Sequence, residues 1–208
     1  MTLAQQLAQG VGELGIVMPP RSDARLLQYL ALLQKWNRVY NLTAVREPRR
    51  MVSEHLLDCL AVAPYIGENR SILDVGSGAG LPGIPLALAL PKARVTVLDS
   101  NHKKAAFLQQ AVSELKLDNV AVACERVENW KPAARFDVVI SRAFADLGEF
   151  VALAGRHLAA GGTVAAMKGV HPYDEIAQLP QGWRVRETRP LSVPGLRAQR
   201  HLVLIEAP

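Results

Sequence analysis

Asp74, Gly76, Gly78, Gly80 and Gly83 crowd one short run, Ile72-Leu73-Asp74-Val75-Gly76-Ser77-Gly78-Ala79-Gly80-Leu81-Pro82-Gly83. Apolar residues enter the run and apolar residues leave it. This is the pattern of strand, turn and helix in which a backbone free of Cβ atoms approaches a nucleotide-like ligand. Two ligands compete. Gly78, Gly80 and Gly83 match the dinucleotide spacing G-x-G-x-x-G, whereas Asp74 with Gly76, Gly78 and Gly80 matches D-x-G-x-G-x-G, the S-adenosylmethionine form. The carboxylate two residues ahead of the first glycine favours the second form, because it suits a charged amino-acid end and repels a pyrophosphate. Asp99, closing a second apolar run, is placed to accept hydrogen bonds from ribose hydroxyls of either ligand. No tyrosine is followed four residues later by lysine, the pair of short-chain dehydrogenases, which weakens the nicotinamide reading. A glycine turn serving packing alone is the plainer alternative, and the strand-glycine-helix context speaks against it.

Those residues need elements to hold them. After Gly67 short apolar strands alternate with helices, as in parallel βαβ units. The expected strands cover 71–75, 94–98, 120–124, 136–141 and 163–167, with helices over 82–90, 102–117 and 146–158 and a short one near 173–179. Two further runs, 183–188 and 201–205, are joined by a loop carrying Pro190, Pro194 and Gly195 and form a closing antiparallel hairpin. Upstream, Leu3, Leu7, Val11 and Leu14 recur at helical spacing. A second helix starts at the N-cap pair Ser22-Asp23 and turns Leu26, Leu27, Leu30, Leu33, Trp36 and Val39 to one face. A third, over roughly 49–65, points Val52, Leu56, Leu57 and Leu60 inward. The expected fold is α/β, a doubly wound, mostly parallel seven-stranded Rossmann-like sheet over 67–208 with a helical extension over 1–66, packed as one unit.

At 208 residues with half of them hydrophobic, the chain is long enough for one sizeable core and too apolar for disorder. The uncharged stretch from Val75 to Pro91 is broken by glycines and prolines, which excludes it as a membrane span. No Lys or Arg precedes Arg21, so a cytoplasmic location without a leader is expected. Cys59 and Cys124 have no ligand spacing and read as reduced core thiols, with no structural metal. The formal charge is +5 and its excess lies in the flanks. Arg46, Arg49 and Arg50 form one basic group, and Arg184, Arg186, Arg189, Arg197 and Arg200 a looser one. Clustered arginine suits approach to a polyanion such as RNA or DNA, and also occurs on surfaces that bind nothing.

The chain resembles the glucose-inhibited division protein B family, the 16S ribosomal RNA guanine-N7 methyltransferases. The motifs that carry the resemblance are Trp36-Asn37 with Tyr40-Asn41-Leu42-Thr43, His55-Leu56-Leu57-Asp58, the run from Asp74 to Pro85, Arg126-Val127-Glu128, Ile140-Ser141-Arg142-Ala143-Phe144 and Met167-Lys168-Gly169, with Arg200-His201-Leu202 at the end. The resemblance implies a class I S-adenosylmethionine-dependent methyltransferase fold, with 16S ribosomal RNA as partner, free, in an assembly intermediate or in the small ribosomal subunit. It implies methylation at N7 of one guanosine in the 530 loop. It also implies that Gly76 and Leu81 line the cofactor pocket, that Val127 and Glu128 lie beside the adenine, and that Arg142 reaches the site from the end of the fourth strand. The family loop reads G-T-G-x-G-L-P-G or close to it, and Ser77 keeps the hydroxyl.

The residues themselves agree with that chemistry. Guanine N7 carries an in-plane lone pair and no proton, so methyl transfer to it needs no general base, and orientation of the two partners is the main requirement. Positive charge moves to the purine, so Arg142 or Lys168 is expected to contact O6 or a phosphate and leave N7 open. Plainer readings stand beside these. Arg142 suits an ion pair with Asp146 or Glu128, Lys168 a solvated loop, and His55 with Asp58 a local hydrogen bond. Asn41, Thr43, His55 and Asp58 are expected to order a segment that closes over substrate. Trp36 and Trp183 read as core, and Arg46, Arg49 and Arg50 either grip phosphates or form a solvated face. Rival functions are a small-molecule methyltransferase, a nicotinamide oxidoreductase and a non-catalytic RNA-binding module. A monomer is expected.

Overall fold

The computed structural model describes residues 1–142, 144 and 146–207; Ala143, within one of the quoted motifs, lies outside the described residues. Three parallel strands, β1 (Ser71–Val75), β2 (Arg94–Leu98) and β4 (Phe136–Ser141), occupy the residues that the apolar runs mark. With β3 (Val120–Ala123), β5 (Leu158–Lys168), β6 (Arg184–Pro190) and β7 (His201–Glu206) they form one seven-stranded sheet in the order β3-β2-β1-β4-β5-β7-β6. Only β7 breaks the parallel run, pairing antiparallel with both β5 and β6. Strand order reverses at β1, which has β2 on one side and β4 on the other, and ligand crevices of open α/β sheets form at that point, at the carboxyl ends of the strands.

The period-2 alternation of the strands feeds two cores. Ile72, Val138, Ile140, Ala165, Met167, Leu202 and Leu204 face one side, where α6 (Gly83–Ala89), α7 (His102–Glu114) and the amino-terminal helices pack. Leu73, Val75, Val139, Val164, Ala166, Val203 and Ile205 face the other, under α8 (Leu147–Ala154). Asp146 caps α8 by accepting from Glu149 N–H at 2.9 Å. The helix ends at Ala154, four residues short of the expected stop, where a 3-10 turn follows and Gly155 lies against the Trp183 indole. The short α9 (Tyr173–Ala177) links β5 to β6.

In the extension, α1 (Leu3–Glu13) and α2 (Ser22–Tyr40) stand near their expected bounds. Ser22 is no cap. Arg21 holds that position, and the Ser22 hydroxyl donates instead to the Leu88 carbonyl. Val39 faces solvent at 69% exposure, while Tyr29 and Leu32, absent from the expected face, are buried. The third helix is composite: α3 (Pro48–Met51), a π-helical stretch Val52–Leu57, α4 (Asp58–Leu60) and, after a turn, α5 (Ala63–Ile66). Tyr29 donates to the Ala79 carbonyl at 2.5 Å, so α2 is bonded to the glycine loop itself. One apolar cluster runs from Leu7 through the sheet to Leu204. Cys59 is buried in it, but Cys124 is only half-buried at the end of β3, 3.2 Å from His102 Nδ1, and is not a core thiol.

Candidate active site

The glycine loop is tied down by two carboxylates. Asp74, fully buried, accepts through Oδ2 from the Ser77 hydroxyl at 2.5 Å and from Gly83 N–H at 2.8 Å. Burial pushes its carboxyl up to about 6, against those two hydrogen bonds. Its Oδ1 is buried and without a hydrogen-bond partner among the described residues. Gly83 must be glycine because a Cβ there would lie 2.6 Å from Val97 Cγ1 and 2.8 Å from Asp74 Oδ2. Asp99 holds the other side, accepting from Gly78 N–H and from Asn101 N–H at 2.9 Å each, with Lys104 Nζ at 3.6 Å. Thus Asp74 and Ser77 sit beneath the loop rather than on its outer surface.

At the carboxyl ends of β1 and β2 a cleft of about 440 Å³ opens, lined among others by Gly76, Asp99, Val127, Glu128 and Phe144. Gly76 has φ of +67° and nothing within 4 Å of where a Cβ would stand, so its backbone faces the open cleft. The Leu81 side chain is buried in the core at 4% exposure. Val127 is fixed from behind, its carbonyl 3.1 Å from Arg156 Nη2 and 2.9 Å from His157 Nε2. Glu128 faces Arg126 at 3.7 Å.

The remaining candidate residues gather on the seam between the extension and the sheet. Arg142, one residue past β4, donates to the Glu54 carbonyl at 3.0 Å and faces Asp58 Oδ2 at 3.5 Å. Arg200 Nε donates to Asp58 Oδ1 at 3.0 Å. Asp58 is therefore the buried carboxylate between two guanidinium groups, and neither Asp146 nor Glu128 pairs with Arg142. Burial raises the Asp58 carboxyl above its ordinary value, partly offset by Arg200 and Arg142. His55 does not bond Asp58. Its Nε2 lies 2.8 Å from Thr43 Oγ1, and burial followed by the Arg142 charge pushes the imidazole down to about 4, so it is neutral near pH 7. Thr43 N–H donates to Asn37 Oδ1 at 2.9 Å, which orders the segment after α2. Lys168 is no solvated loop residue: its side chain is 11% exposed, pairs with Glu175 at 2.7 Å and reaches the Phe144 carbonyl at 3.4 Å. The exposed arginines are each tethered, Arg46 to Asn41, Arg49 to the Met1 carbonyl and Arg50 to Glu54. Trp36 is half-buried, its ring 5.6 Å from Phe107.

The family model described as rRNA small subunit methyltransferase G matches residues 22–203. The chain belongs to that family. A ribosomal RNA small subunit methyltransferase G from Nitrosospira multiformis is 57% identical over 213 residues, covering 99% of this chain and 98% of its own length. One from Laribacter hongkongensis is 56% identical over 203 residues, with 98% of each chain covered. Among solved structures, the glycopeptide N-methyltransferase MtfA complexed with sinefungin superposes with a TM-score of 0.61 at 16% identity, over 74% of this chain and 87% of its own. A SAM-dependent methyltransferase from Aquifex aeolicus gives 0.59 at 21% identity, over 76% and 93%. At such identities these two show the fold alone.

For this member of the rRNA small subunit methyltransferase G family, Tyr29, Asn37 and Glu175 are the residues that the sequence left without a role at the site, and Asp58 is one whose arginine partners it did not show. Asp58 was visible as part of a motif. Its two arginine partners lie far off in the chain, and no local period signals such a pairing.

Proposed function

We propose that this chain transfers the methyl group of S-adenosylmethionine to N7 of a guanosine in the 530 loop of small-subunit ribosomal RNA, acting as a cytoplasmic monomer. The observation that carries the reading is the Gly76 wall. A left-handed glycine with open space where a side chain would be stands at the end of β1, beside a strand-end aspartate. The residues present fit the cofactor: Asp99 spends one lone pair of each oxygen on loop amides and keeps others for ribose hydroxyls. Val127 supplies an apolar flank, and the cleft volume suits a molecule of that size. When bound, S-adenosylmethionine supplies an electrophilic methyl on a sulfonium sulfur.

The chain's own residues bind and orient. N7 has no proton to lose, and His55, neutral and bonded to Thr43, is not called on as a base. Arg142, anchored by Glu54 and Asp58, and Lys168, anchored by Glu175 and reaching the carbonyl of the cleft residue Phe144, are assigned the contact with O6 or a phosphate. A cation at N7 itself would oppose the positive charge that develops on the purine. Arg46, Arg49 and Arg50, all exposed, supply phosphate contacts. Incubation with labelled methyl donor and ribosomal RNA, followed by digestion and nucleoside mapping, tests the reading. 7-Methylguanosine at a single position is expected, and its absence overturns the N7 assignment.

A further inference from the structure

Past the carboxyl end of β5 a second hollow of about 570 Å³ opens, lined by Val170, His171, Tyr173, Leu191, Arg200 and His201 among others. The sheet sets its floor. His201 is the ladder partner of Lys168 on one side and of Pro190 on the other. Stacked rings make its wall: His171 and Tyr173 lie 3.8 Å apart at an interplanar angle of 27°, and His171 meets His201 edge-on at 5.5 Å. Tyr173 is nevertheless 73% exposed and Val170 70% exposed, and neither joins either apolar core.

Charge narrows what such a surface receives. Among the described residues no carboxylate lines the hollow, and Arg200 is part of its wall. Arg200 shares Asp58 with Arg142, so two guanidinium groups face one carboxylate and that corner keeps a net positive charge. A flat aromatic platform, open on its outer face and beside a cation, matches an unpaired nucleobase with its phosphate. Through Asp58, Arg200 at the hollow is tied to Arg142 of the candidate active site.

Resting on the rRNA methyltransferase reading above, we propose that this hollow binds one unpaired nucleobase of the RNA substrate, stacked on the exposed face of Tyr173 with Arg200 beside the adjoining phosphate. It holds a neighbour of the target nucleotide, not the target itself, and so favours looped-out RNA over duplex.

The test measures the affinity of wild type, Tyr173→Ala and Tyr173→Trp for a synthetic hairpin RNA with the target guanosine in its loop. A set of hairpins with each loop nucleotide in turn made abasic completes the cycle. Tyr173→Ala should weaken binding about 5- to 100-fold, the worth of one base-aromatic stack, and Tyr173→Trp should restore it. One abasic position should weaken wild type comparably and Tyr173→Ala no further. S-adenosylhomocysteine binding and the melting curve of Tyr173→Ala should match wild type, since the side chain is exposed. Wild-type affinity in Tyr173→Ala, additive losses at every abasic position, or equal weakening toward a fully paired duplex would each overturn the proposal. Coupling of Tyr173 to one loop base in a protein that yields no 7-methylguanosine would leave this site standing and overturn only the reaction.

Discussion

Asp58 offers the sharpest test of how the site is held. Replacing it by alanine leaves Arg142 and Arg200, whose side chains are 27% and 24% exposed, without their shared counter-charge. Burial keeps the Asp58 carboxyl above its ordinary value despite both arginines, so the pairing is not in itself a large source of stability. The cost of the variant comes from the stranded guanidinium groups. Removing one partner of a buried pair costs about 3–5 kcal/mol, and partial exposure here screens that to about 2–4 kcal/mol. For a chain of this size that lowers Tm by roughly 5–15 °C. Asp58→Asn keeps an acceptor for Arg200 Nε and should lose about half as much. Methyl transfer should fall further than stability does, because both arginines lose their anchor. Thermal melts and kcat/KM at one temperature check both. An alanine variant that melts with wild type and turns over normally would refute the claim that Asp58 organises the seam.

Four further outcomes are expected. His55 has a folded value of about 4 against 6.5 when exposed, so the unfolded chain binds more protons between them and stability is lost as pH falls from about 7 toward 4. Asp74, with a folded value of about 6 against 3.8, gains stability over much of the same range, so the His55 contribution, up to about 3 kcal/mol, is read as the difference between wild type and His55→Gln in denaturation series from pH 7 to 4. Gly76→Ala should fold with a penalty of about 1–2 kcal/mol for its left-handed backbone and lose S-adenosylhomocysteine binding in calorimetry. Gly80→Ala should lose stability more, since its Cβ would lie 2.6 Å from Ile84 Cδ1 and 2.9 Å from Leu108 Cδ2. Changing Arg46, Arg49 and Arg50 together to glutamine should flatten the salt dependence of RNA binding by about two to three logarithmic units per decade of salt. An unchanged slope would make that group a solvated face.

Legibility was uneven, for physical reasons. The bounds of β1, β2 and β4 follow from the sequence because buried parallel strands are short apolar runs ended by turn residues. Strand β5 extends back to Leu158, beyond its expected start at Thr163, because Gly161 and Gly162 disguise a strand that bulges against Phe136. The pattern placed Val39 in the core, whereas α2 turns it outward and buries Tyr29 to reach the glycine loop. The cleft residues Gly76, Asp99, Val127 and Glu128 were readable from motif and strand ends. The Leu81 side chain packs into the core.

Sequence alone determined the sheet class, the glycine loop and the acid at each of two strand ends, because these depend on local backbone demands that residue types meet within a few positions. Only the tertiary structure decided that Asp58 joins Arg142 to Arg200, that Lys168 is held by Glu175, and that His171, Tyr173 and His201 gather in one hollow. Such contacts join segments far apart in the chain, and a charge or a ring carries no record of its partner until the core has brought the two together.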